Sequence, residues 1–172
     1  MTFTDHVTAI RPLRALVLHP DDGSALSLRR ALEAWSFSVL SASDGDTGLE
    51  ILLGEVLALD VLVIAADLPG RDARSFAELI RRAGGERDLS IVVVDASSPQ
   101  LEAELLAAGV DRVIGPAADP HLVAEAAASA VALRRNAVRR AAPAALEIEL
   151  EDSPAPTRAR SSPLRGMALL AS

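Results

Sequence analysis

The chain has 172 residues, half of them hydrophobic, and a formal net charge of −7. That length suits one ordinary domain plus a tail, and the acidic balance argues against nucleic-acid binding through phosphates. All 17 basic residues are arginine and there is no cysteine, which excludes disulfides, thiolate metal sites and chemistry that needs an ammonium.

Strand and helix signals alternate along the chain. RALVLH (14–19) is a short apolar run that ends in the turn PDDGS, where Ser24 is a helix cap. Leu28, Ala31, Leu32 and Trp35 then recur at helical spacing and predict one apolar face. FSVLSA (37–42) reads as a second strand. Asp44-Gly45-Asp46 turns into a helix carrying Leu49, Leu52 and Leu53. DVLVIA (60–65) and SIVVVD (90–95) are continuous apolar runs, as expected of strands covered on both faces. Between them RSFAELIRRAG (74–84) reads as a helix stopped by Gly84-Gly85. Ser98-Pro99 opens another through Ala108, DRVIG (111–115) is a short fifth strand, and Asp119-Pro120 starts a last helix to about residue 140. Arg134, Arg135, Arg139 and Arg140 are placed near that helix's C-terminus, where they complement its dipole.

Five alternating strands and helices predict an α/β fold with a doubly wound, five-stranded parallel sheet. In such sheets ligands meet the carboxyl ends of the strands, so the loops at 19–24, 65–72, 95–99 and 115–119 are the ones to inspect. Residues 1–12 read as an extension and 13–140 as the domain. From residue 141 the mixture of Pro, Ser, Ala and charge reads as a disordered tail, in which ALEIELED (145–152) alternates apolar and acidic residues. The N-terminus lacks a long apolar core, and no run of about 18 apolar residues exists. We therefore expect a cytoplasmic protein.

LDVLVIAADLPGRDA (59–73), ASDGDTGLEIL (42–52) and AAGVDRVI (107–114), in this order and spacing, resemble the receiver domain of bacterial response regulators (CheY-like) over residues 13–137. The resemblance implies a flavodoxin-like sheet of order 2-1-3-4-5. It also implies a phosphorelay role in two-component signal transduction. In that family two acids after the first strand and a phosphoacceptor Asp after the third bind Mg²⁺. A Ser or Thr after the fourth strand and a Lys after the fifth hold the phosphoryl oxygens.

Carried onto this chain, the acidic pair falls on His19 and Pro20. The phosphoacceptor falls on Ala65, four residues before Pro69 and five after Asp60. The hydroxyl residue falls on Asp95, or on Val94 in the neighbouring register, and the lysine on Pro116, or on Gly115 with one deletion. All five positions depart from the pattern, which implies a degenerate, or pseudo-, receiver: a phosphorylation-independent protein–protein interaction module, not an enzyme, without cofactor or resident metal. The partner is a protein, or a second copy meeting it through residues 99–137, where Ala107, Ala108, Ala117, Ala118 and Ala126 to Ala128 permit close packing.

Three residual acids, Asp21, Asp22 and Asp67, support an alternative: an atypical regulator phosphorylated at Asp67 with a divalent metal near Asp21 and Asp22. His19 with Asp21, Asp22 and Asp95 is the one other metal-ligating combination, and turn chemistry is the better account of it. A dinucleotide site fails for lack of Gly-x-Gly-x-x-Gly after the first strand. A cobalamin site fails because Val17 stands where Asp-x-His-x-x-Gly needs its Asp. Ser97 and Ser98 lack a recognisable base, which argues against a hydrolase.

Overall fold

The structure is a computed structural model that describes residues 11–55, 59–84 and 89–141. Five strands alternate with five helices: β1 (Leu13–Leu18), α1 (Asp22–Ala34), β2 (Phe37–Ala42), α2 (Gly45–Glu55), β3 (Val61–Ala65), α3 (Ala73–Gly84), β4 (Ser90–Val94), α4 (Pro99–Ala107), β5 (Arg112–Val113) and α5 (Pro120–Ala141). The sheet order is β2-β1-β3-β4-β5 with every pair parallel, the doubly wound arrangement the alternation predicts. The order reverses between β1 and β3, so the crevice at their carboxyl ends is the switch point of the fold. Residues 1–10 and 142–172, including ALEIELED, lie outside the described residues.

Strand alternation divides the core in two. Leu16, Leu18, Leu62, Ile64, Ile91 and Val93 face α2, α3 and α4, where Leu52, Phe76, Ala77, Ile80 and Leu105 are buried against them. Ala15, Val17, Val61, Val63, Ala65, Val92 and Val94 point the other way, toward α1 and α5. There they meet Leu28, Ala31, Leu32, Val123, Ala124, Ala127, Ala130 and Val131. Both faces of β3 and β4 are therefore apolar, which is why these two strands read as unbroken hydrophobic runs. With few aromatics in the chain, small residues set the spacing: Gly48 sits so close to β1 that a Cβ there would meet the Leu18 side chain at 2.7 Å.

Several expectations are corrected. The cap of α1 is Asp21, not Ser24: its carboxylate accepts the Ser24 amide at 2.7 Å, which places Ser24 inside the first turn. Trp35 leaves the apolar face of α1 because it is the C-cap residue, 46% exposed, and the chain turns there through Ser36 at φ 63°. Leu53 lies next to buried Leu52 but points away from the sheet and is 71% exposed. The ladder of β5 holds only Arg112 and Val113. Arg134 and Arg135 are not end-of-helix charges, since α5 runs to Ala141 and only Arg139 and Arg140 lie in its last turn. The first two instead bind Asp111 and Asp60. Ala124 and Ala127 cover the sheet, whereas Ala107 and Ala117 are exposed. Among the described residues no helix is long and apolar enough to cross a membrane.

Candidate functional site

The carboxyl ends of β1, β3 and β4 place the candidate residues side by side. Leu18 pairs with Ile64, so His19 stands one rung further, beside Ala65 at the end of β3. Ala65 pairs in turn with Val94, and Asp95 follows immediately. Where the resemblance expects a nucleophilic carboxylate, Ala65 presents a buried methyl group within the α1/α5 half of the core.

His19 is 6% exposed, and both ring nitrogens are engaged. Nδ1 accepts the backbone N–H of Asp21 at 3.0 Å, which leaves the proton on Nε2. Nε2 lies 3.0 Å from Oδ2 of Asp95. Asp95 has a φ of +61°, in the left-handed region that aspartate tolerates better than most side chains. Together with Asp21, Ala117, Pro120 and Val123 this pair lines a cleft of about 420 Å³. A larger cavity of about 560 Å³ between β5 and α5 is lined by Asp111, Arg112, Leu133, Arg134 and Ala137. Its polar groups belong to an ion-pair network, and it lies away from the strand ends where this fold places its chemistry.

The remaining candidates are dispersed. Pro20 and Pro116 are exposed loop residues. Asp21 is committed to capping α1, and the Ser24 backbone N–H, then the Ser24 side chain, holds its carboxyl below the usual range. Asp22 is exposed and lines, with His19, Asp44 and Thr47, a second cleft beside the first. Asp67 is exposed in the β3–α3 turn. That turn is pinned, because the Gly45 amide donates to the Pro69 carbonyl at 2.9 Å. A Cβ on Gly45 would also meet the Arg71 backbone at 2.8 Å.

A receiver's Mg²⁺ needs several hard oxygen ligands converging at the end of the third strand. The residues present do not fit it. Ala65 and Pro20 offer no side-chain donor, and His19 is held at both nitrogens. Among the described residues no group of three His, Asp or Glu side chains is arranged to hold a metal ion. The sequence grouped His19, Asp21, Asp22 and Asp95. The structure joins His19 to Asp95 and to the Asp21 backbone, while the Asp21 carboxylate caps α1 at the rim of the same cleft and Asp22 lines a neighbouring one. A histidine after the first strand and an acid after the fourth, flanking the switch point, was the signal for this pair.

The five-stranded parallel sheet of order 2-1-3-4-5 is the fold of response regulator receiver (CheY-like) domains, and solved structures of such domains share it. The receiver domain protein (CheY-like) of Methanospirillum hungatei JF-1 superposes with a TM-score of 0.66 at 18% identity, over 73% of this chain and 98% of its own. The signal receiver domain of an HD domain-containing protein from Pseudomonas fluorescens Pf-5 gives 0.65 at 17%, over 73% and 99%. The chemotaxis protein CheY4 of Vibrio cholerae gives 0.62 at 16%, over 69% and 98%. No protein-family model matches the sequence, and neither does any curated protein.

Proposed function

We propose that this chain is a pseudo-receiver: a phosphorylation-independent protein–protein interaction module of bacterial signal transduction. The observation that carries the reading is the pairing of His19 with Asp95 beside the methyl group of Ala65. Phosphoryl transfer to a carboxylate relies on a metal, a nucleophile and a cation held in position. Here the residues at those positions satisfy one another or are inert, and lysine is missing from the whole chain. The parts of the fold that build the sheet and its helices are retained.

Recognition then falls to surfaces whose state is set by folding or by the partner itself. The stretch 99–137 supports this role, because Leu106, Leu122 and Leu133 on α4 and α5 are each about half exposed. The test is affinity capture with the full chain in the presence and absence of a small-molecule phosphodonor and Mg²⁺. The same partner, retained equally in both arms and lost in Leu122→Glu or Leu133→Glu, supports the reading. Retention that depends on the phosphodonor contradicts it.

A further inference from the structure

The His19 ring joins two loops that the sheet itself does not connect. Through Nδ1 it holds Asp21, the residue that caps α1. Through Nε2 it holds Asp95, the residue at which the chain leaves β4 in a left-handed turn. Three residues later Ser98 caps α4, accepting the Leu101 amide on its hydroxyl. The Asp95 side chain is 44% exposed, so burial does not hold it in this conformation. The backbone on either side is tied by the Ala66 amide to Val94 at 2.9 Å and the Ala96 amide to Ile114 at 3.2 Å, and the Asp95 side chain is held by a ring that is itself buried.

We infer that His19 is a positioning residue, a latch that fixes the β4–α4 turn in one conformation and couples the start of α1 to the start of α4. The inference rests on the pseudo-receiver reading and adds to it: with no phosphoryl group to set this turn, the imidazole sets it permanently. A partner that prised Asp95 from His19 would free the start of α4, while His19 would still hold the Asp21 amide at the start of α1.

Hydrogen–deuterium exchange of the full chain tests the latch, read at the Ala96, Leu101 and Glu102 amides with β3 as internal reference. Asp95→Gly suits the left-handed turn but removes the carboxylate, so exchange at these amides is expected to rise about tenfold to a hundredfold. His19→Phe should do the same and also expose the Asp21 amide. Asp95→Asn keeps an acceptor for Nε2 and tolerates the turn, so it should match the unmodified chain. Adding Asp95→Gly to His19→Phe should add nothing further. If His19→Phe perturbs β3 as well, Asp95→Gly, at a half-exposed position, decides alone. No rise in Asp95→Gly, or a rise in Asp95→Asn equal to that in Asp95→Gly, overturns the latch. Phosphodonor with Mg²⁺ added to the unmodified chain forms the separate arm. A change in exchange there sinks the pseudo-receiver reading, whatever the variants show.

Discussion

Asp60 and Arg135, 75 residues apart in sequence, meet at 2.7 Å at the amino end of the sheet. Asp60 is 5% exposed and also accepts the Arg14 amide at 2.8 Å and the Arg11 guanidinium at 3.1 Å. It ties the last helix to the edges of β1 and β3. Arg135 and Arg11 are each about half exposed and can turn to water once the carboxylate is gone, whereas the Arg14 amide is left without its acceptor. Asp60→Ala should therefore cost about 1–3 kcal/mol in urea unfolding. Asp60→Asn, which keeps an acceptor for the Arg14 amide, should cost clearly less.

Asp111 makes the second such tie. One oxygen takes the Ile91 amide at 2.7 Å and Arg81 at 2.9 Å, and the other takes Arg134. Burial, then the neighbouring Arg134 charge, pushes the Arg81 guanidinium down, and Asp111 opposes both. Without Asp111 two guanidinium groups would face each other across an orphaned amide. Asp111→Ala is expected to lower the melting temperature more than Arg134→Ala does. In a double-mutant cycle Arg81 and Asp111 should couple, with the double variant less destabilised than the sum of the singles.

Acid should weaken the starts of α1 and α2. The Asp21 carboxyl is held below its ordinary value by the Ser24 backbone amide, and the Asp44 carboxyl by that of Thr47. A carboxyl with a lowered folded pKa stabilises the fold fully above its unfolded value, about pH 4. That contribution is lost as pH falls through the lower folded values. Asp21→Asn and Asp44→Asn keep a capping oxygen but cannot titrate there. The paired variant should show a shallower loss of melting temperature below about pH 4 than the unmodified chain.

Restoring the missing acid should not restore chemistry. Ala65 is 3% exposed and packs within the α1/α5 half of the core, so Ala65→Asp places a carboxylate where only a methyl is accommodated. A loss of about 2 kcal/mol or more in urea unfolding is expected. On the proposed reading no phosphoryl adduct should form, since the chain has no lysine and the described residues hold no group of three potential metal ligands.

The sheet was readable because burial on both faces forces β3 and β4 to be apolar without interruption, and 60–65 and 90–95 announced themselves that way. Helix starts were readable as chemistry but not always as position. Asp21 and Ser24 are both good caps, and only the backbone path shows which one receives the amide. Trp35 and Leu53 misled because periodicity marks an apolar face without saying where the sheet stops covering it. The pairs Asp60–Arg135 and Asp111–Arg134 leave no local pattern, since each joins residues far apart in sequence. The candidate site was half legible: the sequence already places Ala65 at the end of a strand and Pro20 and Pro116 in the loops after two others. The bond between His19 and Asp95 exists only once β1, β3 and β4 stand in register.

The central claim is that no residue of this chain accepts a phosphoryl group. Intact mass spectrometry after incubation with a small-molecule phosphodonor and Mg²⁺ tests it most directly. The unmodified mass at every time point is the predicted result. A stoichiometric phosphoryl adduct that disappears in Asp67→Ala would contradict it and make the exposed acid of the β3–α3 turn the acceptor.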